Sequence, residues 1–259
     1  MSLQITGARS ELGRILARQR ASGAVHINIA GQQANTLLHD GHAWKKFAPV
    51  ALAGARRATR SDADMLVHAS FAFVLGQPPK DPMRSIAETI SECESLVISG
   101  PIPACVVRLG YLYGPASGDL RAYRTAFGLR RPYWAGPRNT LQYHLHQYDA
   151  ASALITAANP RNAGRILYAT DAMPISFMRF MDEFARRVGR HFPLHAPAIT
   201  RPLMKLVVRE EHMQQVALAM PPIAPRPRVP GWKPEFRDYR LGLAQVIEAW
   251  NEPPTGGSS

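Results

Sequence analysis

A chain of 259 residues can bury one good core, or a core with a small lobe. Hydrophobic content of 46% and charged content of 19% suit an ordinary globular protein, and no apolar run reaches the 18 residues of a spanning helix, so no membrane is expected. The net charge of +12 rests on 31 basic residues, of which five are Lys (Lys45, Lys46, Lys80, Lys205, Lys233). Such an excess fits an anionic small molecule or a solvated basic surface; without Cys/His spacing or interleaved aromatics, nucleic acid is not expected. Two cysteines, Cys93 and Cys105, cannot build a disulfide framework or a structural zinc site and read as small core side chains. The start runs straight into a strand pattern with no secretory leader, so a cytoplasmic location is the expectation.

In chain order, residues 3–7 read as a strand and Glu11–Arg20 as a helix, with Leu12, Ile15 and Leu16 at helical spacing. Ala24–Ile29 alternates as a second strand and residues 43–57 look helical. Asp64–Val74 is a strongly apolar strand, broken at Gln77-Pro78-Pro79. Ser85–Ser99 is a helix with Ile86, Ile90, Cys93 and Val97 recurring every three to four residues, and Ala104–Leu109 is another buried strand. Strands and helices in alternation predict a doubly wound, parallel α/β sheet.

Beyond Pro115 the stretch 116–142 reads as loop-rich and basic. A short helix over Asp149–Ala158, a strand over Gly164–Thr170 and a helix from Ser176 to Val188 with Gly189 as its stop follow. Residues 202–219 read as helical, Pro221–Pro230 as an extended connector, Leu241–Trp250 as a closing helix and Thr255–Ser259 as a tail. These readings divide the chain into a core at 1–115, substrate-side loops at 116–145, a return helix and strand at 146–172, a small lobe at 173–254 and the tail at 255–259.

Four segments carry a family resemblance. Thr6-Gly7-x-x-Ser10-x-x-Gly13 lies between strand and helix; Arg108 leads through Tyr111 to Tyr113-Gly114-Pro115; His146-Gln147-Tyr148-Asp149 precedes Ala151; and Gly231-Trp232-Lys233-Pro234 precedes Gly242-Leu243 and Trp250. In this order they resemble the extended short-chain dehydrogenase/reductases, the NAD-dependent epimerase/dehydratases. The resemblance implies a Rossmann-type sheet with a small C-terminal substrate lobe. Members generally run past three hundred residues, so at least one βα repeat is expected to be missing, with the shortage placed between Ile29 and Asp64 on the adenine side of the groove.

The resemblance also implies a catalytic Tyr and Lys four residues apart, and no Tyr here has Lys at that spacing. Counting from Glu94 and Val97 places Ile86 at the Tyr position and Ile90 at the Lys position, with Phe71 or Phe73 at the Ser/Thr position. Isoleucine can neither donate nor accept a proton, so the usual relay is absent. Ser70, Tyr111 and Tyr113 are the remaining catalytic candidates. Gly7, Arg9, Ser10, Leu12 and Gly13 are the cofactor candidates: the glycines permit the turn and close packing, the Ser10 hydroxyl can donate to a phosphate, and Arg9 suits a 2′-phosphate, favouring NADP over NAD. His68 reads as a satisfied core residue, and His144 and His146 share a strand face without a third ligand, so no metal is expected. Arg121, Arg124, Arg130, Arg131 and Arg138 are either a solvated basic loop or a substrate-recognition patch for an anion. The expected function is a divergent NAD(P)-binding protein that isomerises or cyclises a small anionic metabolite. The alternative is a non-catalytic dinucleotide sensor or scaffold with a protein partner or a second copy of itself.

Overall fold

Short apolar runs closed by glycine or proline become five parallel strands. The structure is a computed structural model and describes residues 2–38, 42–76, 81–190, 193–196, 203, 206 and 208–251. The break at Gln77–Pro79, part of the stretch 202–219 and the tail at 255–259 lie outside the described residues. The sheet runs β1 (Leu3–Thr6), β2 (Val25–Asn28), β3 (Met65–Phe71), β4 (Ala104–Leu109) and β7 (Ile166–Ala169), in the order β1-β2-β3-β4-β7, every pair parallel. Two further strands, β5 (Tyr111–Tyr113) and β6 (His144–His146), pair with each other.

Helices α1 (Glu11–Leu16) and α5 (Gln147–Ala157) cover one face, in a core with Val25, Ile27, Met65, Val67, Cys105 and Val107. Helices α2 (Phe47–Ala58) and α3 (Met83–Ile98) pack together on the other. With α4 (Gly118–Gly128) and α6 (Phe177–Arg187) in order between them, α7 (Glu210–Ala217) and α8 (Tyr239–Asn251) close the described helices. Gly242 sits where α8 crosses Tyr113, since a Cβ there would overlap the Tyr113 hydroxyl.

The α/β sheet with helices on both faces is the architecture anticipated, but its order has a consequence. From β1 to β4 each step moves one strand in the same direction, while α1 lies on the opposite face from α2 and α3. The first crossover therefore has the opposite hand to the two that follow. Crossovers are right-handed in about 98% of cases, so β1-α1-β2 is the exceptional one. Between Ile29 and Asp64, where a shortage was expected, the described residues lead through α2 to β3; the crossover of opposite hand lies earlier, between β1 and β2. It leaves β1 as an edge strand.

Three readings of local structure change. The first helix stops at Leu16, short of Arg20. The apolar run at 65–75 leaves the sheet after Phe71 and finishes as a 3-10 turn over Ala72–Leu75. The stretch 116–142 contains α4, opened by Ser117, whose side chain accepts from the Leu120 N–H, and by Asp119 in the first turn. Glycines at both ends and exposed arginines masked that helix in the sequence.

A buried polar network ties β3, α3, β4 and β7 together. Arg108 Nε and Nη2 donate to Glu94 at 2.8 and 2.6 Å, Ser70 Oγ donates to Glu94 Oε1 at 2.5 Å, and Arg108 Nη1 donates to the Tyr168 hydroxyl at 3.0 Å. Removing one partner of a buried pair strands the other charge, at a cost of about 3–5 kcal/mol. Glu94→Ala is therefore expected to lose that much stability in urea denaturation, and Glu94→Leu with Arg108→Leu to lose less. A single variant milder than the double would contradict this role.

Candidate functional site

The C-terminal ends of β1 and β2 open onto a cleft of about 410 Å³. One wall is the β1–α1 turn, contributing Arg9, Ser10, Glu11, Leu12 and Arg14. Gly7 adopts φ +96°, and a Cβ there would press on Ile29; a Cβ on Gly13 would collide with Ala8 and the Gly7 carbonyl. Both positions thus require glycine, as the fingerprint implied. Ser10 behaves differently from expectation. Its hydroxyl donates to the Gly7 carbonyl at 2.8 Å and accepts from the Gly13 N–H at 3.1 Å, capping α1, so its proton is not free for a phosphate. Leu12 is buried in the core, and Arg9 is exposed at the rim.

The opposite wall was not foreseen. Gly31, at φ +88°, turns the chain out of β2 into a 3-10 turn over Gln32–Ala34. Gln32 Nε2 donates to the Ala69 and Ser70 carbonyls, and Asn35 Nδ2 donates to Gln32 Oε1 and the Gly110 carbonyl. The loop is thereby stitched across the ends of β3 and β4. Gln147 Nε2 reaches from α5 to Glu11 Oε2 at 2.7 Å. Asn35 Oδ1 and Gln147 Oε1 are both buried without a partner, and both residues line the cleft. The run Gln32-Gln33-Ala34-Asn35 after a strand-ending glycine was the available signal.

The expected relay positions are dry. Phe71 lies among Trp44, Phe47 and Phe73, with ring centroids 5.4–6.0 Å apart, and Phe73 stacks on Tyr111 at 6.0 Å. On α3, Ile90 is buried and Ile86 packs against the same core. Ser70 is buried and committed to Glu94. Burial pushes the Tyr111 and Tyr113 hydroxyls upward, the reverse of an activated phenol. Tyr113 reaches the Tyr239 carbonyl at 3.5 Å. Leu37 and Leu38 line a small apolar void with Tyr111, Tyr113, His144, Phe177 and Phe180, and this void shares Thr36 and Leu112 with the cleft.

The arginines of the stretch 116–142 do not form one patch. Arg121 and Arg124 stack on Trp250 at 4.9 and 5.5 Å, while Arg130 and Arg131 line a separate cleft beside Arg190. Arg138 lines neither cleft and is exposed. Asp149 of the His-x-x-Asp segment accepts the Glu235 and Phe236 N–H groups at 2.7 and 3.0 Å, anchoring the C-terminal stretch. His146 caps α5, its Nδ1 accepting from the Tyr148 N–H. His144 stacks on Phe180 at 4.3 Å, and His68 Nδ1 meets Asn28 Nδ2 at 3.0 Å. Burial raises the Cys93 and Cys105 thiols to about 12, as suits core residues. Among the described residues no group of three His, Cys, Asp or Glu could hold a metal ion, and no helix is long and apolar enough to cross a membrane.

No family model matches the chain. The 3-diazoavenalumate denitrifying reductase of a Streptomyces species is 28% identical over 171 residues, 64% of this chain and 55% of that protein. The chain thus spans about half the length of the curated relative it matches. Human epimerase family protein SDR39U1 (isoform 2), solved with NADPH, superposes with a TM-score of 0.73 at 15% identity, covering 96% of this chain and 99% of that one. RMD from Pseudomonas aeruginosa, complexed with NADPH, gives 0.66 at 15% identity, covering 96% and 98%. The chain has the fold of the NAD(P)-dependent epimerases and reductases of the short-chain dehydrogenase/reductase type.

The buried histidines make a pH prediction. Desolvation lowers His68 and His146 to about 4 and His144 to about 3. Each is neutral when folded and protonates near 6.5 when unfolded, so its stabilisation is complete above about pH 6.5 and is lost as pH falls toward these values. Each contributes about 1.4 kcal/mol per pH unit in that window. Burial raises Asp171 and Asp149, which act in the opposite sense, and the histidines prevail by number. Guanidinium denaturation should show lower stability at pH 5 than at pH 7, with a shallower slope in His144→Phe. Greater stability at pH 5 would refute the assignment.

Proposed function

We propose that this protein binds a nicotinamide dinucleotide, NADP(H) in preference to NAD(H), and serves hydride transfer to an anionic acceptor that needs no proton from the enzyme. The residues of the cleft fit such a group. Gly7 and Gly13 keep the turn tight, Arg9 and Arg14 supply positive charge, and the unpartnered acceptors of Asn35 and Gln147 suit hydroxyl or carboxamide donors. Glu11 lowers the appeal of the α1 terminus for an anion, and its pairing with Gln147 tempers that effect. When bound, the dinucleotide would supply a hydride.

The observation that carries the reading is that Phe71, Phe73, Ile86 and Ile90, at the expected relay positions, pack into one apolar core. Reducing a carbonyl leaves an oxyanion that must be protonated, which is the work of a Tyr-Lys relay. A carbon that takes a hydride while dinitrogen departs with the C–N bonding pair leaves no charge to neutralise. The relative named as a denitrifying reductase of a diazo compound supports an acceptor of that type. This chemistry replaces the isomerisation or cyclisation anticipated above as the better fit. The small apolar void beside the cleft, too narrow for a substrate, favours as a second reading a dinucleotide sensor without turnover.

Calorimetry with NADP and NAD, followed by NADPH oxidation assays with an arenediazonium carboxylate and with sugar nucleotides, tests both readings. Binding of NADP with consumption of NADPH on the diazonium alone is expected. Sugar-nucleotide or carbonyl reduction at ordinary enzyme rates would overturn the proposal, as would failure to bind either dinucleotide. Tight binding without any turnover would favour the sensor.

A further inference from the structure

The edge position of β1 exposes a second cleft, which shares no lining residue with the first. The Val25 and Ile29 N–H groups donate to the Ser2 and Thr6 carbonyls, so the even-numbered residues of β1 face β2 and the backbone of Leu3 and Ile5 faces outward. Along this margin Gln4, Ile5, Thr6 and His26 line one side of a cleft of about 570 Å³, and Arg56, Arg57, Arg60 and Ser61 line the other. All three arginines are exposed, and none forms an ion pair among the described residues. Asp62, the carboxylate that bears on His26, is held by Gln4 Nε2 at 2.9 Å.

His26 supplies an independent sign of a ligand. It is only 5% exposed, its Nε2 lies 2.8 Å from Thr6 Oγ1, and its Nδ1 has no partner. In either tautomer Nδ1 is a buried polar atom without a partner: a donor when the Thr6 hydroxyl donates to Nε2, an acceptor when Nε2–H donates to Thr6 Oγ1. The C-terminal end of α2 accounts for Arg56 and Arg57 near its last turn, but not for Arg60 beyond the helix or for the unsatisfied imidazole.

We propose that this cleft binds a phosphoryl group, as inorganic phosphate or as a phosphomonoester. Three guanidinium forks match the several acceptor oxygens and double charge of such a group, and His26, in the tautomer with its proton on Nδ1, adds a neutral donor at the buried side. The site does not depend on the hydride chemistry. Among the described residues no strand lies beyond β1, and Gln4, Thr6 and His26 are left at the margin of the sheet.

The test is a thermal-shift and calorimetric titration of the full chain with inorganic phosphate against sodium chloride at matched ionic strength. It is repeated for an Arg57→Gln/Arg60→Gln variant, whose changes are confined to exposed side chains. A saturable rise in Tm with phosphate is expected, with affinity at least tenfold weaker in the variant and NAD binding unaltered. If the 2′-phosphate of NADP is the occupant, the variant also loses any preference for NADP over NAD; if free phosphate is, that preference persists and both ligands bind together. A phosphate response no larger than that of chloride, or one unchanged in the variant, would overturn the proposal.

Discussion

An aromatic layer packed where β3 meets α2 and α3 sets the terms for what this chain can do. Phe71, Phe73, Trp44 and Phe47 fill the space from which, in the proposed reading, a proton relay would have to work. Each buried aromatic contributes about 1.5–3 kcal/mol through its apolar area, and the edge-on pairs add about 0.5–1.5 kcal/mol each. The same dryness that stabilises the layer raises the cost of any charge nearby. Tyr111, stacked on Phe73, is held neutral for that reason. In the proposed reading, hydride transfer then proceeds without a proton from this layer.

The polar groups that remain do structural work. Glu94 and Arg108 lie among the apolar neighbours of β3 and β4, and they persist because each satisfies the other, with Ser70 and Tyr168 completing their hydrogen bonds. Gln32 and Asn35 tie the loop after β2 to the ends of β3 and β4 by hydrogen bonds. Preformed acceptors reduce the ordering cost of binding. At the margin of the sheet the same strand order has the opposite effect, leaving β1 at the edge and its arginine-rich cleft open.

Much of this was legible in the residues. The strands at Leu3, Val25, Met65, Ala104 and Ile166 and the helix capped by Ser176 followed from apolar periodicity and capping chemistry, which act locally. Glu94 and Arg108 were visible as motif positions, though their pairing is a three-dimensional fact. Strand order was not legible, because nothing in Leu3-Gln4-Ile5 distinguishes an edge strand from a central one. The shortage was expected after Ile29, whereas the crossover of opposite hand lies before Val25. The arginines between 121 and 138 looked like one patch in a linear reading; α4 divides them, turning Arg121 and Arg124 toward Trp250 and leaving Arg130 beyond its end. Ser10 misled for a related reason: its hydroxyl finds a nearer partner in the Gly7 carbonyl than any ligand could offer.

The most direct test of the central idea is a solvent isotope comparison on single turnover with 4-deuterated NADPH and an arenediazonium acceptor. The account predicts that the deuterium label appears at the reduced carbon and that the rate is the same in light and heavy water across pH 6–8, since no enzyme proton moves with the hydride. A rate that falls severalfold in heavy water, or that titrates with a single group across that range, would show that a proton donor takes part and would contradict it.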